Sequence, residues 1–311
     1  MCQSIYKINY AITNENFCQQ QTQHMNQTVS RQKSILVTGC SSGIGLHVAQ
    51  RLQQDGYHVI ATARQQPDVE MLTAQGLTAL RLDLNNSQSI HAAVNQTLEI
   101  CNGKIDALFN NGAYGQPGAV EDLRRHVIRA QFETNVFGTL ELTNLVLPVM
   151  RQQGHGRIIQ NSSVLGLIAL PYRGAYNASK FALEGLSDTL RMELKGTGIH
   201  VSLIEPGPIQ SRFRVNAYQA YEDNIDKSSS AHRERYEAME RRLTRKGKST
   251  AFTLPPEAVY KKVLHALEHP RPKPRYYVTF PTYLFGGLKR ILTDRMLDYL
   301  LNKVSEGEHK A

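Results

Sequence analysis

The stretch Ser34–Gly45, "SILVTGCSSGIG", decides the fold. Its opening residues, "SILV", read as a short buried strand, and Gly39, Gly43 and Gly45 then let the chain turn tightly into a segment of helix length that runs to Gln54. A strand that passes through such a turn into a helix leaves unpaired backbone N–H groups and the positive end of a helix dipole at one point. Glycines also mark ordinary turns, but at the start of a βαβ unit they allow the backbone to approach a pyrophosphate. Ser41, Ser42 and Ile44 belong to the same turn.

Outward from this point, short β-branched runs alternate with segments of helix length. The strands are "HVIATA" (58–63), "LTALRL" (77–82), "DALFN" (106–110), "RIIQNSS" (157–163) and "HVSLIEPG" (200–207). The crossovers are Gly43–Gln54, Ser87–Cys101, Val136–Gln153 and Ala175–Lys195. The pattern predicts an α/β, doubly wound Rossmann-type fold: a parallel sheet over about 34–205 with helices on both faces. After Pro208 the chain is charged and irregular until "PPEAVYKKVLHALEHP" (255–270), a helix bounded by prolines. A strand, "RYYVTF" (275–280), and one amphipathic C-terminal helix, expected to dock on the domain or a second subunit, with peripheral membrane contact as the alternative, complete the chain.

The expected organisation is a single domain over 33–311, preceded by residues 1–32, whose Gln- and Asn-rich composition predicts disorder. Met25 is an alternative start. The net charge of +9 is concentrated in residues 231–290, where a solvated basic face is the expected reading; no nucleic-acid motif accompanies it. Apolar runs fall far short of the ~20 residues that span a bilayer, so a cytoplasmic protein without an integral membrane segment is expected. The four cysteines, Cys2, Cys18, Cys40 and Cys101, lack metal-ligand spacing, and no metal is expected.

The loops after the strands lie at the carboxyl edge of the sheet, where this architecture binds ligands. An acidic residue at the end of the second strand would hold the ribose 2′-hydroxyl of NAD; here Ala63 stands there and Arg64 follows, which favours the 2′-phosphate of NADP, against a solvated strand-end charge. Asp83 is a candidate for the adenine amino group or for a helix cap. Asn111 lies in "NNGAYG" (110–115), and "PGPIQSRF" (206–213) forms a rigid turn suited to a flat ring. Tyr176 and Lys180 are one helical turn apart, either an ordinary pair on a solvated helix or one in which the ammonium favours the phenolate and so lowers the tyrosine pKa.

These motifs in this order, TGxxxGIG, Asn110-Asn111-Gly112-Ala113, Asn135 in "NVFG", Ser163, "YNASK" (176–180) and "PGPI", resemble the short-chain dehydrogenase/reductase family over Lys33 to about Phe213. The details resemble the branch containing hydroxysteroid and retinol dehydrogenases and bacterial NADP-dependent aldehyde reductases. The resemblance implies a catalytic tetrad of Asn135, Ser163, Tyr176 and Lys180. Tyr176 would act as general acid/base, Ser163 on the substrate oxygen, Lys180 on the tyrosine and the nicotinamide ribose, and Asn135 on the lysine through a water. Cofactor residues would be Gly39, Ser41, Ser42, Gly43, Ile44, Gly45, Arg64, Asp83, Asn111, Tyr176, Lys180, Pro206, Gly207, Ile209 and Ser211. The chain departs from the usual NNAG at Gly112-Ala113, and carries Ser211 where threonine is common. An NADP(H)-dependent reductase of aldehydes or ketones is expected, in a homodimer or homotetramer. Its alternatives are a hydroxysteroid or retinol-type dehydrogenase and a non-catalytic NADP-binding sensor or scaffold. Residues 211–255 would cover the substrate, lined by Leu165, Leu167, Phe213, Tyr218 and Tyr221, with 256–311 as a C-terminal helical part.

Overall fold

The computed structural model describes residues 32–244, 247 and 251–310. The expected disorder of 1–31, Cys2, Cys18 and the alternative start at Met25 lie outside the described residues. Seven parallel strands form one sheet in the order β3-β2-β1-β4-β5-β6-β7. They are β1 (Ser34–Val37), β2 (His58–Ala63), β3 (Thr78–Arg81), β4 (Ala107–Asn110), β5 (Gly156–Asn161), β6 (Ile199–Glu205) and β7 (Arg275–Tyr277). The chain winds from β1 outward to β3, then crosses to the other side of β1 at β4. That reversal opens a crevice between the β1 and β4 loops, where doubly wound sheets bind ligands.

Alternation along β1 builds both layers. Ile35 and Val37 face one cluster, packed under α1 (Gly43–Gln54) and α9 (Glu257–Glu268) through Val48, Leu52, Val259 and Val263. Leu36 faces the other, packed under α3 (Ser87–Ile100) and α5 (Thr139–Gln153) through Ile90, Val94, Leu142 and Val146. Between them in sequence are α2 (Gln66–Ala74), α4 (Arg125–Phe132) and α6 (Gly174–Glu193). A turn of π-helix, Glu133–Gly138, precedes α5, so the crossover expected from Val136 has an irregular first turn.

Beyond β6, the segment expected to cover the substrate, the lid segment, contains α7 (Phe213–Asn224) and α8 (Arg233–Thr244). The strand expected over 275–280 ends at Tyr277, because Thr279 caps a helix with proline in its first turn, α10 (Phe280–Leu288). The single C-terminal helix expected from sequence is two, α10 and α11 (Asp294–Lys310). Gly286 holds α10 flat against Tyr277, where a Cβ would come within 2.7 Å of the ring. The chain then turns to bring Leu297 and Leu301 over Leu165 and Ile168.

Candidate active site

Three loops at the switch point are tied together by short polar side chains. Gly39 has φ +71°, and a Cβ there would stand 2.7 Å from Gly112 Cα, so the β1 and β4 loops touch backbone to backbone. Asn111 Nδ2 donates to the carbonyls of Thr38 (2.9 Å) and Gly39 (3.1 Å), while Thr38 Oγ1 accepts from the N–H of Asn111 and of Gly112. Asn161, at the end of β5, donates to Asn111 Oδ1 at 2.9 Å. Asn111 therefore borders the cavity with its amide committed to the neighbouring loops: it shapes the site. Thr38 and Asn161 complete that frame; Thr38 opens the TGxxxGIG motif, whereas neither was among the expected site residues.

The cradle itself lies at the start of α1. Gly43 has φ +60°, and a Cβ there would reach 2.9 Å from Ser211 Cβ in the loop after β6. Ser42 precedes the helix in extended conformation, and its side chain makes no capping bond to the first turn. The first N–H groups of α1 are thus not capped by that hydroxyl, in a niche that a Cβ would fill, which fits the pyrophosphate of a dinucleotide. Gly45 lies beneath, where a Cβ would press on the Gly39 carbonyl and within 2.6 Å of Asn111 Nδ2.

Tyr176 and Lys180 share one face of α6, with Nζ 5.7 Å from the phenol ring centroid. Lys180 is 3% exposed, and its Nζ donates to the Asn161 carbonyl at 2.7 Å. Burial lowers its pKa to about 8, with the charge of Glu184, one turn on, acting in the opposite sense. Burial pushes the half-buried Tyr176 phenol up to about 12, and a hydrogen bond with Ser163 draws it down. This corrects the expectation from the four-residue spacing: desolvation outweighs any pull of the ammonium on the phenol, and the ammonium is aimed at the Asn161 carbonyl. Ser163 also accepts from Leu165 N–H at 3.1 Å, which orients its Oγ at the head of a 3₁₀ turn (Val164–Gly166).

Asn135 is buried in the π-helical turn, a feature that often re-aims a side chain at a functional site. Its amide donates to the Tyr114 carbonyl (3.0 Å) and to Ser179 Oγ (3.1 Å), and its Oδ1 accepts from Tyr114 N–H. Ser179 in turn donates to the Tyr176 carbonyl at 2.8 Å. Asn135 therefore braces the helix that carries Tyr176 and Lys180 through Ser179.

Behind Lys180 lies a charge cluster that sequence patterns did not mark. Arg275 of β7 meets Glu205 (Nε to Oε1, 3.0 Å), Glu184 (2.8 Å) and Asp188 (2.6 Å). Glu205 is fully buried immediately before the Pro206–Gly207 turn, and burial together with the neighbouring Glu184 raises its pKa to about 9. Burial also raises Glu184, against the opposing effects of Ser162 and Arg275.

These elements border one cavity of about 1310 Å³. That exceeds the ~300–1,000 Å³ usual for one small ligand and suits a dinucleotide with a second molecule. Gly39, Ser41, Ser42, Gly43, Ile44, Asn111, Ser163, Tyr176, Lys180, Pro206, Gly207, Ile209 and Ser211 all line it. Gly45, Arg64, Asp83 and Asn135 stand outside the lining. Arg64 is exposed at the end of β2, close enough to the Tyr114 phenol to oppose the upward pull of burial on its pKa, and Arg81 Nε donates to its carbonyl at 3.3 Å. Asp83 forms a local turn by accepting from Asn85 N–H, and the cap of α3 is Asn86, so the helix-cap reading of Asp83 fails. Of the residues expected to line a substrate site, Leu165 and Phe213 border the cavity, together with Ile168, Leu284 and Phe285. Tyr218 and Tyr221 instead pack into the lid with Tyr236 and Met239, and the Leu167 carbonyl receives Lys289 Nζ. Among the described residues, no cluster of His, Cys, Asp and Glu could hold a metal ion, and no helix is long and apolar enough to cross a membrane.

The short chain dehydrogenase family model matches residues 33–222. The oxidoreductase YbbO of Escherichia coli K12 is 43% identical over 270 residues, covering 87% of this chain and 94% of that protein. Human 17-beta-hydroxysteroid dehydrogenase type 1 is 35% identical over 266 residues, 79% of this chain and 77% of that one. A short chain dehydrogenase/reductase from Burkholderia phymatum, solved in complex with NAD, superposes with a TM-score of 0.70 at 25% identity, covering 87% of this chain and 95% of that one.

Proposed function

The chain belongs to the short-chain dehydrogenase family of oxidoreductases, and on that premise we propose that it is an NADP(H)-dependent enzyme that reduces an aldehyde or ketone to the alcohol. One observation carries the reading: the Tyr176 phenol, Ser163 and Lys180 converge on a wall of the same cavity whose other end is the glycine cradle. A nicotinamide dinucleotide, when bound, supplies the hydride in reduction and accepts it in oxidation.

The chain's own residues manage the proton. Tyr176, with its pKa near 12, is protonated at neutral pH and can give its proton to the substrate oxygen as negative charge develops there. Ser163 Oγ, fixed by the Leu165 N–H, donates a second hydrogen bond to that oxygen. Lys180 keeps its charge below about pH 8, and that charge offsets the phenolate as Tyr176 loses its proton. Thr38, Asn111 and Asn161 hold the dinucleotide cradle in register with this triad. Arg64 beside Tyr114 supports selection of a 2′-phosphate over a 2′-hydroxyl. The same proposal places a second copy of the chain against the exposed apolar side chains Phe181, Leu186 and Met192 of α6, in a dimer or tetramer.

The direct test is Tyr176→Phe. NADPH oxidation at 340 nm with medium-chain aldehydes should fall by at least about 10²-fold, the scale of a lost general acid, while NADPH binding by fluorescence titration is retained. Unimpaired turnover would remove Tyr176 from the proton step. A wild-type protein that binds NADPH yet reduces no aldehyde or ketone would instead favour a dinucleotide sensor.

A further inference from the structure

The cavity is cationic as well as apolar. Its lining includes Arg173 at the start of α6, Arg212 and Arg214 at the start of α7, and Arg241 and Arg242 on α8, with no aspartate or glutamate among the described lining residues. Arg173 and Arg242 have partners within the protein, which leaves Arg212, Arg214 and Arg241 to meet a ligand. Arg214 donates to the Arg242 carbonyl at 3.5 Å and to the Gly247 carbonyl, contacts that place its charge without neutralising it. Arg241 is exposed; its neighbour Glu240 bonds to Lys227 and the Tyr221 hydroxyl, and the Arg241 charge helps to hold that carboxyl below its usual range. No carboxylate among the described residues forms an ion pair with Arg212, Arg214 or Arg241.

This cationic wall adjoins the chemistry. Phe213, between Arg212 and Arg214, meets the Tyr176 ring edge-on with centroids 5.3 Å apart. Another part of the lining, Leu165, Ile168, Leu284 and Phe285, is apolar. A neutral lipophilic carbonyl would leave these guanidinium groups without a ligand counter-charge, whereas an amphipathic one would satisfy both walls.

We propose that the substrate is a carbonyl compound with an apolar body and an oxyanionic head group, a carboxylate or phosphate, held by the α7–α8 arginines. Both oxyanions match the planar fork of a guanidinium. The inference rests on the carbonyl-reductase reading above and narrows its substrate class.

The test compares ω-oxo acids of four, eight and twelve carbons with butanal, octanal and dodecanal, using NADPH at low salt. A charge-assisted contact predicts kcat/KM at least about tenfold higher for the acid at one chain length. That ratio should fall toward one in Arg241→Ala or 0.5 M NaCl, and recover in part in Arg241→Lys. Equal or poorer turnover of the acids at every length would overturn the inference while leaving carbonyl reduction standing. A second readout is the melting temperature with saturating NADP⁺ and dodecanoate, dodecyl phosphate or dodecanol. A rise with either anion, absent with dodecanol and lost in Arg241→Ala, supports the oxyanion site even where no aldehyde is reduced, and shows which head group it takes. Displacement of NADP⁺ by the anions, with weaker NADPH binding in Arg241→Ala, would assign the arginines to the dinucleotide and overturn it.

Discussion

Tyr176 and Lys180 show how burial sets the protonation state of a phenol and an ammonium one helical turn apart. Desolvation penalises the charged form of each, so the phenol rises to about 12 and the ammonium falls to about 8. The pair is thus held as phenol and ammonium at neutral pH, the state that donates a proton. Arg64 poses the second local question, because an exposed guanidinium at the end of β2 is a cofactor ligand or a solvated charge. Arg64→Ala should weaken NADPH by about tenfold or more, the worth of a charged hydrogen bond, and leave NADH within about twofold. Parallel titrations of the two reduced cofactors decide it, and equal losses would return Arg64 to the solvent.

The loops after β1, β4 and β5 act as one element because Asn111 and Thr38 join them. Four hydrogen bonds run between these two residues and the Gly39 and Gly112 backbone, and Asn161 adds a fifth to Asn111. Asn111→Ala removes the side-chain contacts and leaves part-buried carbonyls of Thr38 and Gly39 without them. Urea unfolding should show a loss of about 1–3 kcal/mol together with weaker dinucleotide binding. Stability loss with unchanged dinucleotide affinity would show that the cradle keeps its shape without Asn111. The glycine turn was legible in the sequence because its residue types have few other uses between a strand and a helix. The contacts of Asn111 were not, because an amide beside a glycine carries no sign of which distant carbonyl it meets.

Across the sheet, Arg275 joins β7 to β6 and α6, closing the structure behind Lys180 and the Pro206–Gly207 turn. Three carboxyl groups surround one guanidinium, and Glu205 keeps its proton up to about pH 9. Its folded pKa lies above its unfolded value near 4.5, so the folded state binds the extra proton between these limits. The stability it contributes is complete below pH 4.5 and is lost as pH rises through about 9. Glu205→Gln keeps the shape and removes the titration. Relative to that variant, the wild type should lose stability between pH 6 and 9, by up to about 1.4 kcal/mol per pH unit. Parallel Tm profiles for the two proteins would show that Glu205 is not the proton holder.

The alternation of strand and helix, the glycine turn, and the spacing of Ser163, Tyr176 and Lys180 were all determined by sequence alone. They are local: each depends on periodicity, on a backbone conformation that few residues adopt, or on side chains one helical turn apart. The tertiary structure decided what long-range packing controls. Tyr218 and Tyr221 left the expected cavity wall for the core of the lid, and the C-terminal segment split so that α11 could cover the 3₁₀ turn. Arg275 found Glu205 and Glu184 across 70 and 91 residues, respectively, of intervening sequence separation. Burial then reversed the pKa shift that four-residue spacing predicts for Tyr176, because desolvation depends on what surrounds a group on every side, and a sequence records only its neighbours along the chain.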